Sequence, residues 1–131
     1  MATLRLAIVT PERTELDKEV ATVTLPMIDG QLGVLPGRAP MIGRLGYGFL
    51  RYKVGEQEHK HFVDGGFVQI EANIVSVLTS RLLSIEALKA ADAERELTKA
   101  LALPSDNDAA RSIRDTAIAR ARGLLYAATR A

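Results

Sequence analysis

Glycine and proline punctuate the stretch Asp29–Ile42, where they make up five of the residues and alternate with short apolar pieces. Pro36-Gly37 fits the two central positions of a type II turn. Gly30 and Gly33 can adopt a positive φ or allow close approach of another backbone segment. Such a stretch makes successive tight turns without giving up burial, which is typical of the loops of a small β-sandwich.

The rest of the first 83 residues is predicted to be β-structure. In Leu4–Val9 the large apolar residues Leu4, Leu6 and Ile8 fall on one face of a strand. The β-branched segment Val20–Leu25 is expected to stop at Pro26. Further strands are predicted over Gly48–Val54, Glu58–Val63, Phe67–Ile70 and Ile74–Thr79. Short strands separated by turns predict a sandwich or flattened barrel, mostly antiparallel, rather than βα units.

From Ser84 onward, alanine, leucine and charged residues dominate, which is the composition of helix. Ser84 is the expected N-cap of a first helix, and Pro104 is expected to end it. Ser105 and Asp108 suggest a capping box for a second helix. Two helices joined by a short connection fold back as an antiparallel pair. The predicted fold is therefore α+β, with a β-sandwich over 1–83 and a helical hairpin over 84–131.

Alanine makes up much of the predicted helix–helix seam, above all on the second helix, where it occupies three of five positions. On the first helix the seam comprises Ile85, Leu88, Ala91, Leu97 and Leu101, and on the second Ile113, Ala117, Ala121, Leu124 and Ala128. Burying an alanine methyl contributes much less than the roughly 1.5–3 kcal/mol of a buried leucine. We therefore expect a weakly held hairpin whose conformation a modest binding energy can change.

The second helix is basic, since five arginines oppose three aspartates. Arg111, Arg114 and Arg122 share one stripe, because eleven residues is close to three helical turns. Taken alone, such a stripe is most often a solvated face. The alternative is a surface that meets acidic residues of a partner.

Several function classes find little support in the sequence. A net charge of +1 gives no electrostatic reason to expect nucleic acid as a partner, and the chain has no cysteine. His59 and His61 share one side of a strand without a further ligand nearby, so we expect no metal site. Nucleophile elbows and phosphate-binding loops are not evident, and no apolar run approaches the roughly 18 residues that span a bilayer. We therefore expect neither an enzyme nor a membrane-inserted protein.

Three stretches together resemble one family. They are GQLGVLPGRAPMIGRLGYG from Gly30, Val63–Ile70 with its Gly-Gly-Phe segment, and the strand Asn73–Leu78. In this order they closely resemble the epsilon subunit of F-type ATP synthases of bacteria. The resemblance covers essentially the whole chain, because a β-rich part followed by two helices is that family's layout.

The resemblance implies a non-catalytic subunit of the central stalk that helps couple ion-driven rotation to ATP synthesis. Its implied partners are the gamma subunit and the c-ring, contacted through Gln31, Leu32, Arg38, Ala39 and Pro40. The hairpin would reach the alpha and beta subunits through Arg111, Arg114 and Arg122 and restrain ATP hydrolysis. The implied location is peripheral, on the cytoplasmic or stromal-equivalent face of an energy-coupling membrane.

One ligand motif is also implied by the resemblance. Ile85, Glu86, Lys89 and Ala90 are similar to a segment with which some bacterial epsilon subunits bind ATP. Glu86 occupies the position of the motif's aspartate, and Lys89 occupies the position of its arginine. A lysine ammonium cannot reproduce the two-pronged hydrogen bonding of a guanidinium group. Ordinary helix-start residues with an exposed Glu–Lys pair are the other interpretation.

Two alternative functions follow for the whole chain. In the first, it is chiefly an ATP-sensing subunit with a non-inhibitory hairpin. ATP would then be a regulatory ligand, since no cofactor is required. In the second, it is a stand-alone β-sandwich interaction module.

Overall fold

The computed structural model describes residues Thr3–Arg130. It divides into two compact units, with the division between Leu83 and Ser84. The first unit contains strands β1 Leu4–Val9, β2 Thr14–Val20, β3 Thr22–Met27, β4 Gly30–Val34, β5 Met41–Val54, β6 Gln57–Glu71 and β7 Ile74–Leu78; strand β8 Leu82–Ser84 spans the division. The second contains a 3-10 turn Ile85–Ala87 and helices α1 Ala90–Leu101 and α2 Asp108–Arg130.

The strands follow the order β2-β1-β7-β6-β5-β3-β4, and β8 pairs with β6. Neighbours on this path are antiparallel except β1 and β7, which run parallel. The sheet is not closed, since the path ends at β2 on one side and β4 on the other. The predicted α+β class, a mostly antiparallel β-sandwich followed by two helices, is confirmed.

The core of the first unit is formed by the inward-facing side chains of the strands, along which inward and outward positions alternate. Leu4, Leu6 and Ile8 of β1 are fully buried, as their spacing predicts. Other fully buried members of this cluster are Val20, Val23, Leu25, Val34, Leu50, Val63, Val68, Ile70, Val75 and Val77. Every long strand contributes to this core, so it fixes the register of the whole sheet.

β5 and β6 are longer than predicted, with 14 and 15 residues. The predicted hairpin break at Gly55 and Glu56 is confirmed as the turn between β5 and β6, but Gly65 and Gly66, which we expected to separate two strands, lie inside β6. Gly65 and Gly66 have φ values of 69° and 116°, and a Cβ on Gly66 would lie 1.8 Å from the Leu78 carbonyl oxygen. Alternation is lost from Phe62 to Gly65, where four consecutive residues are buried. Glycine thus bends one continuous strand instead of ending it.

Two further strand predictions were wrong. β2 was missed because its sequence, TELDKEV, is mostly charged. Such charges are typical of an edge strand, which must not pair with other chains. Pro26 does not end β3, which continues to Met27; the register of β3 against β5 shifts between Thr24 and Met27. The irregular pairing accommodates a residue without an N–H group.

Both helices begin later than predicted. Ser84 precedes the 3-10 turn without a side-chain capping bond, and Lys89 is the N-cap of α1. At α2 the cap is Asn107 rather than Ser105, since Asn107 Oδ1 accepts a 2.8 Å hydrogen bond from the Ala110 N–H. Asp108 is the first helical residue and lies near the positive end of the helix dipole.

The two helices pack through small residues, as the composition predicts. Ala121 and Leu124 of α2 are buried at positions predicted for the seam, whereas the buried positions of α1 differ from the prediction. Ala93 and Ala100 of α1 and Ala121, Leu124 and Ala127 of α2 are the buried members. Ala91 and Leu101 of the predicted stripe are exposed, because the buried face of α1 runs through Ala93 and Ala100 instead. On α2, Ile113 is 65% exposed. Within Thr3–Arg130, neither helix combines the length and apolarity needed to cross a membrane.

Candidate partner-binding surfaces

One end of the sandwich carries a hollow of about 460 Å³, which we call the sandwich-end hollow. Met27–Leu32 and Met41–Arg44 line it. Their backbones are joined where the Ile28 N–H donates to the Arg44 carbonyl at 3.1 Å. Ile42 is 74% exposed and Ile28 is 64% exposed. Two large apolar side chains beside one depression mark a candidate binding surface.

Gln31 and Leu32, both predicted contact residues, line this hollow. Gln31 is exposed, and its Oε1 accepts a 3.1 Å hydrogen bond from Arg51 Nη2. Leu32 is only partly exposed and packs against the core. Gln31 is therefore the more available of the two for a partner.

Arg38, Ala39 and Pro40 lie in the loop Leu35–Pro40 between β4 and β5 and are exposed. They are not among the residues that line the sandwich-end hollow. The Gly37 N–H in this loop donates a 2.8 Å hydrogen bond to Asn73 Oδ1. The predicted contact residues thus form two groups, one at the hollow and one on this loop.

A third surface was missed by sequence reasoning. Arg44, Phe67 and Leu78 stand side by side across β5, β6 and β7, because Arg44 pairs with Phe67 and Phe67 pairs with Leu78. Phe67 and Leu78 are each 54% exposed, and Ile74 on the same side of β7 is also exposed. We call these four residues the outer-face patch. The available signal was an apolar residue at the outward position of an alternating strand.

Only two of the three arginines of the predicted stripe line the same groove. Arg114 and Arg122 line one groove with Leu101 of α1 and Asp115, Ile118 and Ala119 of α2. Arg114 Nη2 also lies 3.4 Å from the Leu101 carbonyl oxygen. Arg111 instead pairs with Asp108 one turn earlier and contacts the Ser105 carbonyl. The groove presents two guanidinium groups and one carboxylate.

The residues predicted to bind ATP belong to different secondary-structure elements. Ile85 and Glu86 belong to the 3-10 turn, Lys89 caps α1, and Ala90 is its first residue. Glu86 and Lys89 are exposed. In contrast with the prediction, they do not share one continuous helix, so their spacing no longer implies an i,i+3 pair.

His59 and His61 stack on Tyr52, with ring centroids 5.1 and 5.9 Å away. Burial raises the pKa of the Tyr52 hydroxyl. Among residues 3–130, no group of three or more histidine or acidic side chains is arranged to hold a metal ion. The histidines act here as packing partners for the tyrosine ring.

Comparison with known proteins matches both units of the chain. Residues 3–85 match the family model for the ATP synthase delta/epsilon chain β-sandwich domain. The ATP synthase epsilon chain of Rhodopirellula baltica is 51% identical over 95% of this chain and 97% of its own length. The chain belongs to the ATP synthase epsilon chain family. The family resemblance inferred from the glycine-rich stretch is thereby confirmed, and by membership the chain is a non-catalytic subunit.

More distant proteins also match nearly the whole of this chain. The chloroplastic ATP synthase epsilon chain of Porphyra purpurea is 32% identical over 98% of both chains. The fold also matches a chain in the OSCP/F1/c-ring structure of the Euglena gracilis mitochondrial ATP synthase, with a TM-score of 0.81 and 23% identity. That match covers 97% of this chain and 82% of the other. A chain of the Tetrahymena thermophila central stalk/c-ring structure gives a TM-score of 0.77 at 16% identity, with 97% of each covered.

Proposed function

We propose that this chain is a central-stalk subunit of an F-type ATP synthase that helps couple ion-driven rotation to ATP synthesis. The observation that carries the proposal is the match to epsilon chains over nearly the whole length of both proteins. The proposed partners are the gamma subunit, the c-ring, and the alpha and beta subunits. The proposed location is peripheral, on the cytoplasmic or stromal-equivalent face of an energy-coupling membrane.

The outer-face patch is the surface we assign to gamma. Its residues lie on three adjacent, hydrogen-bonded strands, so they form a broad and rigid platform suited to a folded domain. Substituting Phe67→Ser removes a half-exposed aromatic side chain without disturbing the core. We expect gamma to bind at least several-fold more weakly. Val54→Ser, an exposed apolar position at the end of β5, is the matched control and leaves binding unchanged.

The sandwich-end hollow and the loop Leu35–Pro40 are the surfaces we assign to the c-ring. The hollow surrounds the turn between β3 and β4, and the loop joins β4 to β5, so each offers a small contact area with single apolar or basic side chains. A contact made through loop tips is small, and it carries torque without needing high affinity. Ile42→Ser is expected to reduce ATP-driven ion pumping by the membrane-bound enzyme while binding to gamma persists.

The hairpin is proposed to restrain ATP hydrolysis. Four of its five buried seam residues are alanine, so the paired helices are held by little apolar area. The groove around Arg114 and Arg122 offers guanidinium groups to acidic segments of alpha and beta. A weakly held element with a charged face can be redistributed between two positions by a partner.

A substitution series tests this restraint. Arg114→Gln together with Arg122→Gln removes both positive charges from the groove, whereas Arg130→Gln removes one from the exposed last turn of the same helix. Hydrolysis by an alpha, beta and gamma core should be inhibited by the unmodified chain and by the Arg130 variant. Inhibition should weaken with the double variant. Equal inhibition by all three would refute a role for the groove.

ATP sensing is the second candidate, and it rests on the exposed Glu86 and Lys89 before α1. ATP would have to draw these residues towards the basic groove of α2, since they are not one preformed helical face. Calorimetry with millimolar ATP on the full chain should then give heat that Lys89→Ala abolishes. No heat from the unmodified chain would remove this candidate and leave the coupling role standing.

A further inference from the structure

We propose that Asn73 is a positioning residue that holds the loop Leu35–Pro40 in the shape its partner binds. Asn73 Oδ1 accepts the 2.8 Å hydrogen bond from the Gly37 N–H, a contact between residues 36 apart in the chain. The Asn73 carbonyl also accepts a 2.8 Å hydrogen bond from the Arg5 N–H. One residue thereby links the loop to β1 and to the turn between β6 and β7. The identity of the loop's partner rests on the proposed function; the anchoring itself does not.

The loop has few other means of keeping its shape. Leu35 is 62% exposed, and the segment from Gly37 to Pro40 is exposed throughout. Gly37 has a φ of 88°, which fits the third position of a type II turn after Pro36. The turn sets the local bend, but it does not fix where the bend lies relative to the sheet. The hydrogen bond to Asn73 supplies that long-range constraint.

Asn73 is itself held in place. Ala72 and Asn73 have φ values of 51° and 63° and form the two-residue turn between Glu71 and Ile74, which pair with each other. Two consecutive positive φ values define a type I′ hairpin turn. Asparagine adopts this backbone more readily than most residues. Its side chain is therefore presented from a tight turn rather than from a mobile loop.

The backbone requirement and the side-chain role can be separated by substitution. If Asn73 were present only for its left-handed backbone, glycine would serve as well or better. Asn73→Gly keeps that backbone and removes the acceptor for the Gly37 N–H. Asn73→Asp keeps an acceptor oxygen at the same position. Ala72→Gly relaxes the neighbouring turn residue and leaves the hydrogen bond untouched.

The first measurement is amide hydrogen exchange of the full chain. One side chain to backbone hydrogen bond changes the ratio of ordered to open loop about 2- to 10-fold. Exchange at Gly37 should accelerate by that factor in Asn73→Gly, remain near the unmodified rate in Asn73→Asp, and not change in Ala72→Gly. Thermal unfolding is followed in parallel. Unchanged Gly37 exchange in a folded Asn73→Gly protein would overturn the anchoring.

The second measurement is rebinding to membrane-embedded ATP synthase depleted of this chain, followed by recovery of ATP-driven ion pumping. Asn73→Gly should raise the half-saturating concentration up to about 10-fold, because only the ordered loop is competent to bind. Asn73→Asp should restore the unmodified value. Faster exchange with unaltered rebinding would overturn the positioning role. If even the unmodified chain fails to rebind, the proposed function fails, and the exchange result still decides the anchoring.

Discussion

Gly66 lies where β6 passes closest to the end of β7, and replacing it with alanine tests that packing. Its φ is 116°, a conformation that residues with a side chain rarely adopt. The added Cβ would lie 1.8 Å from the Leu78 carbonyl oxygen and 2.9 Å from Thr79 Cα. These neighbours are backbone atoms, so they cannot move aside by changing a rotamer. Gly66→Ala must therefore displace one of the two strands.

The cost has two parts. A residue other than glycine at this backbone conformation costs about 1–3 kcal/mol. Forcing packed backbone apart costs about 1–3 kcal/mol or more. Together, these costs should lower the free energy of unfolding by at least about 2 kcal/mol. For a unit of this size, each kcal/mol lowers the melting temperature by roughly 4–8 °C, so the loss is at least about 8 °C.

Differential scanning calorimetry of the full chain measures this loss. Gly33→Ala is the matched control, because no described atom beyond its chain neighbours lies within 4 Å of the added methyl and Gly33 has no positive φ. The control should melt within a few degrees of the unmodified protein. If Gly66→Ala melted as high as Gly33→Ala, the close approach of β6 to β7 would be wrong.

Two further predictions concern the hairpin and the sheet edge. Leu124→Ala removes the large buried side chain of the helix seam and should lower the helical circular dichroism signal, whereas Ile113→Ala, at an exposed position, should not. On the sheet, Arg5 hydrogen-bonds Asp17 at 2.8 Å and lowers its carboxyl pKa below the ordinary 3.8. The stabilisation from this pair is present above pH 3.8 and is lost as the pH falls through the lowered value. Carboxyl NMR titration should show the Asp17 pKa returning towards 3.8 in Arg5→Gln, and an unchanged midpoint would contradict the pairing.

The sequence was sufficient for the parts of the fold that depend on regular burial. The alternation of Leu4, Leu6 and Ile8 correctly predicts β1, since those side chains are fully buried. The ordered glycine-rich stretch correctly indicated the family. Pro36-Gly37 correctly predicted a turn, and Gly37 has the positive φ that a type II turn requires. In each case the local pattern and the tertiary environment impose the same requirement.

Local patterns failed where distant contacts decide the outcome. β2 has too few apolar residues to be recognised, and it is a strand only because β1 pairs with it. Gly65 and Gly66 looked like a break because the close approach of β7 is invisible in the sequence. At the second helix, Ser105, Asn107 and Asp108 are all good capping residues, and only the geometry selects Asn107.

The candidate surfaces were predictable to different degrees. Gln31 and Arg38 were identified through family resemblance, and the structure shows both exposed, but on separate features. The outer-face patch requires the register of three strands, which brings Phe67 beside Leu78. The role of Asn73 requires a contact between residues 36 apart. No local pattern encodes either arrangement.

We propose that this chain is a stalk subunit that binds gamma. Mixing the full chain with a purified alpha, beta and gamma complex, followed by size-exclusion chromatography and quantification of each subunit, tests it most directly. We expect the unmodified chain to co-elute at one copy per gamma, Phe67→Ser to associate more weakly, and Val54→Ser to associate like the unmodified chain. Elution of the unmodified chain apart from a complex that contains gamma would contradict the claim.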